Sequence, residues 1–250
     1  MAAESKWSPA IGFIPAMSET LHLHPTAPLA GRVLLPGDPG RALLLAQSLL
    51  AEPRMFNHNR GLWGYTGVAA DGEQLTIQST GMGGPSAAIV ISELAQLGAR
   101  TMLRVGTCGA LAQSLSLGEL LIADAALVAD GASAALGAPE RVGASPELVS
   151  ALQTAAGPGA HTATVVSTDL FYDPGQREQG WRAAGASAVE METAVLFTLA
   201  GVHGIRSGSV LIVSDLILPE RRRIAADALT AAEHRLGDLA ATALSALPVL

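Results

Sequence analysis

One arginine lies inside an apolar run that is typical of a buried strand. Arg104 stands between Leu103 and Val105, and the glycine-rich segment 106–109 (GTCG) follows directly. A guanidinium among apolar neighbours costs several kcal/mol unless an anion or a carboxylate pairs with it. The segment after it offers a hydroxyl on Thr107 and backbone N–H groups that are able to converge on an anion. The pattern fits a phosphate or carboxylate ligand, and equally a structural pair between Arg104 and an acidic side chain.

A second arginine follows another glycine turn, in the segment 34–41 (LLPGDPGR). The segment predicts a tight turn between a strand and a helix, and Gly37 permits close approach of the backbone to a ligand. Arg41 falls in the first turn of the helix, where a cation opposes the helix dipole and a bound anion would explain it. An exposed arginine on a turn is the alternative. The segment is neither a Walker A loop nor GxGxxG.

Acidic side chains follow later in the chain. The segment 189–192 (VEME) opens a helix, and its acids are either partners of the helix dipole or acceptors for the two hydroxyls of a ribose. Asp215 ends a buried strand, where α/β sheets place catalysis, and it could serve as a general acid. Residues 168–172 supply two aromatic side chains for stacking, although Phe171 is compatible with a core position as well.

The elements that must position these residues alternate along the chain. Short apolar runs and amphipathic helical segments follow each other without repeats or a long linker. Residues 1–28 are predicted to form an irregular arm, and residues 29–250 a single α/β domain with a central mixed β-sheet flanked by helices. We expect a strand at 101–105 that ends in a second glycine loop, separate strands at 120–123 and 126–128, and a final helix at 224–247.

Composition excludes several classes of function. The net charge of −7 argues against a broad surface for nucleic acid. Cys108 is the only cysteine, so the chain has no intrachain disulfide and no cysteine-rich metal site. No apolar run reaches the roughly 18 to 20 residues of a membrane span. With no secretory signal at the start, we expect a cytoplasmic protein that binds neither nucleic acid nor a membrane.

Taken together, the motifs resemble the nucleoside phosphorylase family that includes hexameric purine nucleoside phosphorylases and uridine phosphorylases. Seven segments follow the family's order and spacing: GDPGR at 37–41, NRGLWGYTG at 59–67, TGMGGPS at 80–86, LRVGTCG at 103–109, STDLFY at 167–172, VEMET at 189–193 and VSD at 213–215. The resemblance implies a nucleoside phosphorylase-like fold and the phosphorolysis of nucleosides to a free base and (deoxy)ribose 1-phosphate. It implies no metal and no cofactor. Inorganic phosphate is implied as a co-substrate.

The resemblance also implies the residues of the site. Those of the phosphate site are Gly37, Arg41, Arg104 and Thr107, with Arg60 from a neighbouring subunit. Those of the nucleoside site are Phe171, Val189, Met191, Glu192 and Asp215, with His22 from the neighbour at the 5′-hydroxyl, and His24 close to it in sequence. Arg104 and Asp215 are the implied catalytic residues. The implied assembly is a homo-oligomer, a trimer of dimers whose sites are shared across the dimer interface.

Two features point to different bases. Asp215 fits purine phosphorylases, in which an acid protonates N7, whereas the segment 171–177 (FYDPGQR) is similar to the segment that reads uracil in uridine phosphorylases and makes Gln176 and Arg177 candidates. We favour a purine nucleoside because the role of Asp215 is chemical, and keep a uridine phosphorylase as the alternative. The arginine that assists the acid in some purine enzymes has three nearby candidates, Arg221, Arg222 and Arg223. A nucleosidase hydrolase of the same fold and a non-catalytic nucleoside-binding module are further alternatives, and the set of arginines disfavours both.

Overall fold

The computed structural model describes residues 20–159 and 161–248, in which strands and helices alternate. The strands of this part of the chain are β1 (Arg32–Leu35), β2 (Ala51–Asn57), β3 (Gly64–Val68), β4 (Gln74–Gln78), β5 (Thr101–Ala110), β6 (Leu120–Ala129), β7 (Arg141–Gly143), β8 (His161–Thr168), β9 (Ala188–Glu190), β10 (Arg206–Leu216) and β11 (Arg222–Arg223). The helices are α1 (Pro39–Leu49), α2 (Gly84–Gln96), α3 (Gly131–Ala135), α4 (Pro146–Ala156), α5 (Glu178–Ala183), α6 (Thr193–His203) and α7 (Ala226–Ser245). The predicted arm is described only from Thr20, and residues 20–31 contain neither helix nor strand.

All of these strands belong to one mixed sheet. The strands β5, β10, β6, β8 and β9 pair in a closed cycle, so this part of the sheet is a small barrel. The strands β1, β4, β3 and β2 extend from β5 in that order. Parallel pairs such as β1 with β5 and β5 with β10 occur beside antiparallel pairs such as β6 with β10. The prediction of a central mixed sheet is confirmed.

Helices cover both faces of the sheet because strand side chains alternate between the faces. Leu34 of β1 belongs to the apolar cluster that contains residues of α1, α4 and α7. Its neighbours Val33 and Leu35 belong to the opposite cluster, which contains residues of α2 and α6. Both clusters consist of buried aliphatic side chains. They fix the sheet between two layers of helices, which confirms the predicted flanking helices.

The predicted second glycine loop is wrong, because β5 continues through it to Ala110 and pairs with β10 along this length. Its glycines provide space for neighbouring side chains. A Cβ atom on Gly106 would lie 2.7 Å from Cζ of Arg104, and one on Gly109 would lie 2.7 Å from Cδ1 of Ile217. Glycine at 106 therefore gives the Arg104 guanidinium its place against the strand.

Two further strand predictions need correction. The strands predicted at 120–123 and 126–128 are one strand, β6, whose register with β8 shifts between Ala123 and Ala126. Strand β10, which is predicted to end at Asp215, runs one residue further to Leu216. Among the described residues, no helix combines the length and apolar character needed to cross a membrane.

Three helices begin at one edge of the sheet. Asp38 caps α1 by accepting the N–H of Gly40 at 2.9 Å, and Pro39 suits the first turn. Helix α2 follows Gly83, whose φ of +88° favours glycine, and α6 follows Glu192. The backbone N–H of Gly83 donates to the Glu192 carboxylate, which joins the segments before α2 and α6. This edge holds the candidate site.

Candidate active site

A cavity of about 700 Å³ lies at this edge, within the range of small-molecule sites. Its walls come from the turn before α1 and from β5, the end of β8, the segment 189–192, β10 and the chain after β10. Nine of the predicted site residues line it: Gly37, Arg41, Arg104, Thr107, Phe171, Val189, Met191, Glu192 and Asp215. The structure therefore brings together residues that are as distant in the chain as Gly37 and Asp215.

Arg104 lies in the buried wall of the cavity and is 4% exposed. Its Nε donates to Glu190 at 2.9 Å, and its Nη2 lies 2.6 Å from a carboxylate oxygen of Glu192. Burial acts to lower the pKa of the Arg104 guanidinium, but the charges of Glu192 and Glu190 outweigh it and leave that pKa raised. The structural pair with acidic side chains is therefore present. Arg104 also lines the cavity, and its binding of an anion there stays a prediction.

Glu190 connects Arg104 to the start of α6. The Glu190 side chain is fully buried, and its carboxylate accepts the N–H of Glu192 at 2.8 Å and that of Thr193 at 2.9 Å. The hydroxyl of Ser167 at the end of β8 also donates to it. An acid at the first N–H groups of a helix is stabilised by the helix dipole. Glu190 thus fixes the guanidinium, the helix start and two strands in one arrangement.

Glu192 faces the cavity between Arg104 and Gly83. Burial raises the pKa of Glu192, the negative charge of Glu190 raises it further, and Arg104 acts against both. A buried carboxylate beside a guanidinium can exchange partners when an anion binds that guanidinium. Glu192 is then an acceptor for hydroxyl groups inside the cavity.

Arg41 provides a second buried cation in the cavity wall, and it is 8% exposed. Its Nε donates to the carboxylate of Glu233 at 2.8 Å. Glu233 belongs to α7, 192 residues later in the chain, and lies outside the residues that line the cavity. The alternative of an exposed turn arginine is wrong, and a carboxylate accompanies Arg41 in its buried position.

The turn of Gly37 approaches the segment before α2 closely. A Cβ atom on Gly37 would lie 3.1 Å from the carbonyl oxygen of Gly81. Thr107 of β5 and Gly37 line the cavity together with Arg41 and Arg104. Two guanidinium groups, a hydroxyl and a glycine turn therefore line the same cavity. Such groups are the donors that an oxyanion such as phosphate requires.

Asp215 lies at the other end of the cavity along β5 and β10, because Arg104 pairs with Ser209 in the strand register and Asp215 pairs with Gly109, five residues further along β5. Asp215 is 5% exposed. Its Oδ2 accepts the hydroxyl of Ser214 at 2.8 Å, and its Oδ1 lies 3.4 Å from Nε of Arg221. The Arg221 guanidinium lies over the ring of Phe171, 4.6 Å from its centroid. Of the three nearby arginines, Arg221 is the one whose guanidinium pairs with the carboxylate, while Arg223 is opposite Asp215 in the pairing of β10 with β11. Arg223 lines the cavity, whereas Arg222 is exposed and does not.

The segment 171–177 places its polar residues differently from the expectation. Gln176 and Arg177 do not line the cavity, so the structure does not bring these two candidates to the site. The Asp173 carboxylate holds Nε of Arg177 at 2.8 Å and accepts the N–H of Gly175, and the Arg177 guanidinium lies 5.2 Å from the Trp181 ring centroid. Asp173 and Trp181 line the cavity in their place.

His22 and Arg60 lie outside the cavity on one surface of the chain. The side chain of Asn59, the residue before Arg60, donates to the carbonyl oxygen of His22 at 2.9 Å. This bond places His22 and Arg60 on the same face. Nδ1 of His22 lies 2.7 Å from the Glu93 carboxylate, and Arg60 is exposed with a φ of +55°. Neither residue contributes to the cavity of its own chain. His24 is exposed and bonds to the carbonyl of Leu21 at 3.3 Å.

Sequence reasoning missed Glu190 as the partner of Arg104 and Glu233 as the partner of Arg41. The burial of Glu233 could be predicted from its position on α7, because it lies on the same side of the helix as the buried residues Ala232, Leu236 and Ala240. A carboxylate on the apolar side of an amphipathic helix needs a buried partner. Nothing local in the sequence identifies that partner.

Comparisons with known proteins agree with this geometry. Residues 32–247 match the family model described as the phosphorylase superfamily. The purine nucleoside phosphorylase DeoD-type of Geobacillus kaustophilus is 37% identical over 200 residues, which cover 77% of this chain and 84% of that protein. The protein of the same name from Jannaschia sp. is 38% identical over 200 residues, which cover 77% of this chain and 85% of that protein.

Two similar solved structures carry the name of a uridine enzyme. The crystal structure of uridine phosphorylase from Vibrio fischeri in complex with 6-hydroxy-1-naphthoic acid superposes with a TM-score of 0.79 at 27% identity. The superposition covers 88% of this chain and 93% of that chain. Sequence similarity is thus reported to purine enzymes, and structural similarity to a uridine enzyme.

Proposed function

Because this chain belongs to the phosphorylase superfamily of pentosyltransferases, we propose that it cleaves purine nucleosides with phosphate. The products are the free purine and ribose or 2-deoxyribose 1-phosphate. The observation that carries the proposal is the pair of buried guanidinium groups at one end of the cavity, opposite the Asp215 carboxyl at the other end. A nucleoside spans such a cavity with its sugar between the two ends.

Phosphate binds at the end formed by Arg41, Arg104, Thr107 and Gly37. It takes the Nη2 edge of Arg104, which the Glu192 carboxylate occupies at 2.6 Å. A phosphate oxygen then forms a bond to C1′ of the sugar while the glycosidic bond breaks and its electron pair leaves with the base. The sugar passes through an oxocarbenium-like state, and the desolvated phosphate is both the nucleophile and the counter-charge.

The sugar is held by the segment 189–192. Glu192, displaced from Arg104, accepts hydrogen bonds from the two hydroxyls of the ribose diol. Met191 and Val189 contact the apolar side of the sugar. Holding both reactants in one orientation contributes to the rate because the reaction becomes effectively unimolecular. In this arrangement one carboxylate links phosphate binding to sugar binding.

The base leaves from the end that contains Asp215. The Asp215 carboxyl transfers a proton to N7 of the purine, which neutralises the charge that develops on the leaving base. Arg221 approaches Asp215 at 3.4 Å and also covers Phe171, so it keeps acid and aromatic wall together. The chemistry proposed uses phosphate as a co-substrate and assigns no step to a metal or a cofactor.

We also propose that the active form is a homo-oligomer, a trimer of dimers, in which Arg60 and His22 complete a neighbour's site. The proposal is supported by their common surface and by its exposed apolar side chains, since Leu21 is 59% exposed and Trp63 is 40% exposed. Mixing Arg60→Ala subunits with Glu192→Ala subunits after dissociation and reassembly should restore activity. A monomer with full activity in sedimentation would contradict the proposal.

A uridine phosphorylase is the second candidate, and the Vibrio fischeri neighbour is the observation that favours it. A hydrolase of the same fold is disfavoured by the two buried guanidinium groups, which water does not require as a nucleophile. One experiment separates all three. Inosine, guanosine, adenosine, uridine and thymidine are incubated with and without phosphate, and base and sugar products are measured. Purine turnover that needs phosphate supports the proposal, uridine as the best substrate refutes the purine assignment, and free ribose in phosphate-free buffer refutes phosphorolysis.

A further inference from the structure

The pair between Arg41 and Glu233 joins the cavity wall to the last helix. The Arg41 side chain is 8% exposed and that of Glu233 is 11% exposed, so most of both charges is withdrawn from water. Among the described residues, Glu233 is the only hydrogen-bond partner of the Arg41 guanidinium. The bond uses Nε, so the two terminal nitrogens have no hydrogen-bond partner in the part of the chain that the structure describes. A guanidinium held at Nε keeps the fork that binds oxyanions in a bidentate way.

The helices that carry this pair approach very closely. One turn after Glu233, a Cβ atom on Gly237 would lie 2.5 Å from Cδ2 of Leu45, the residue one turn after Arg41. Leu45 and Gly237 are both buried in the same cluster of α1 and α7. The glycine therefore allows the backbones to approach until the short span between Arg41 and Glu233 is bridged.

The second buried arginine of the cavity wall, Arg104, is held by a carboxylate in the same way. Arg104 also donates its Nε to a carboxylate, that of Glu190, at 2.9 Å. Glu190 lines the cavity, whereas Glu233 lies outside it and cannot touch a ligand within it. Any effect of Glu233 on a bound anion is therefore transmitted by Arg41 or acts through its charge.

We propose that Glu233 is a positioning residue for phosphate, which fixes the Arg41 guanidinium with its terminal nitrogens toward the cavity. The inference rests on the proposed phosphate site. It makes a prediction of definite sign. A carboxylate near an anion site weakens binding by repulsion, so its charge alone predicts tighter phosphate binding when Glu233 is neutralised. The positioning role predicts weaker binding instead.

The test measures binding of inorganic phosphate by calorimetry and the KM for phosphate with saturating nucleoside. In Glu233→Ala we expect phosphate affinity to fall by about 10- to 100-fold, the factor that corresponds to a hydrogen bond to a charged group. Glu233→Gln, which keeps an acceptor for Nε and the side-chain volume, should lose less. The nucleoside KM should stay within about twofold, since Glu192 is untouched. In the Arg41→Ala background, Glu233→Ala should cause no further loss.

Asp71→Asn is the matched control, because Asp71 pairs with Arg32 at 2.6 and 2.7 Å away from the residues that line the cavity. It should alter the melting temperature and leave phosphate affinity unchanged. The proposal is overturned by phosphate binding in Glu233→Ala as tight as in the wild type or tighter, by an equal rise in both KM values, or by a further loss in the Arg41→Ala background. Wild-type protein that binds phosphate without cleaving nucleosides refutes the proposed function and leaves the binding test decisive. Wild-type protein that does not bind phosphate refutes both.

Discussion

The two ends of the cavity differ in how their charges are held. At the buried end, Arg41 and Arg104 are 8% and 4% exposed, and each is paired with a carboxylate that is itself buried. At the open end, the Arg221 side chain is 45% exposed and Phe171 is 50% exposed. One end is part of the core of the domain, and at the other end the buried carboxyl of Asp215 is covered by side chains at the surface.

This difference separates two tasks of a binding site. Charges in a low-dielectric environment interact strongly and are already oriented, which suits the stabilisation of charge during a reaction. Charges at the surface are screened by water and contribute little to stability, which allows substitutions there. The buried end is therefore expected to fix the reaction, and the open end to decide which base is accepted.

Removal of Arg104 should produce the largest effect. In Arg104→Met, Glu190 and Glu192 are left as buried carboxylates without their cation, which should lower the free energy of unfolding by about 3–5 kcal/mol. Phosphorolysis should become undetectable. Urea denaturation and product analysis measure both effects. The control Arg32→Met removes a buried arginine that pairs with the more exposed Asp71 outside the cavity, and it should lose stability while it retains activity. An Arg104→Met protein of wild-type stability would contradict the role of the pair.

The next largest effect is expected for Asp215→Asn. Loss of a general acid costs about 10²- to 10⁴-fold in rate, and the loss should be greatest for adenosine, which depends most on protonation at N7. Inosine should lose less because an amide can still bridge N7 and O6. The measurement is kcat/KM for adenosine, inosine and uridine in both proteins. If uridine is the best wild-type substrate and the substitution hardly changes it, the purine assignment fails.

A smaller effect is expected at the open end for Arg221→Ala. Exposed ion pairs contribute about 0.2–1 kcal/mol, so kcat/KM for purine nucleosides should fall by about fivefold or less. Stability should change by no more than about 0.5 kcal/mol. Arg222→Ala is the matched control and should leave both quantities unchanged. A loss of stability as large as that of Arg104→Met would show that the two ends are not held differently.

The smallest effect concerns pH at the boundary between the two ends. Burial raises the pKa of Glu192, so this carboxyl becomes protonated at a higher pH than an ordinary glutamic acid, whose pKa is about 4.3. A neutral Glu192 accepts ribose hydroxyls less well, and nucleoside affinity should weaken as pH falls, beginning above that value. Nucleoside binding with sulfate as an unreactive oxyanion in place of phosphate, measured between about pH 5 and 8, should show this slope in the wild type. A slope of the same size in Glu192→Gln would assign it to another group.

The sequence determined much of this site because its signals are local. Strand ends, glycine turns and capped helix starts predicted the mixed sheet and placed Gly37, Arg41, Arg104, Glu192 and Asp215 at strand ends that meet at one edge. The same local patterns are why the second glycine loop was predicted wrongly. Residue 106 is a glycine because the Arg104 guanidinium lies against it. A glycine that forms a turn and a glycine that makes room for a side chain cannot be distinguished in the sequence.

Only the tertiary structure decided what each charge is paired with. The partner of Arg41 is Glu233 on the last helix, and the partner of Arg177 is Asp173 in its own segment. Neither Gln176 nor Arg177 lines the cavity. The pairing of buried charges depends on distances between elements that are remote in the chain, as for Arg41 and Glu233. A neighbour four residues away can also pair with a side chain that the sequence predicts as a ligand contact, as Asp173 does with Arg177. Sequence therefore specified the chemical groups of this site, and packing decided which of them reach the cavity, because burial leaves a charged group only the partners within its reach.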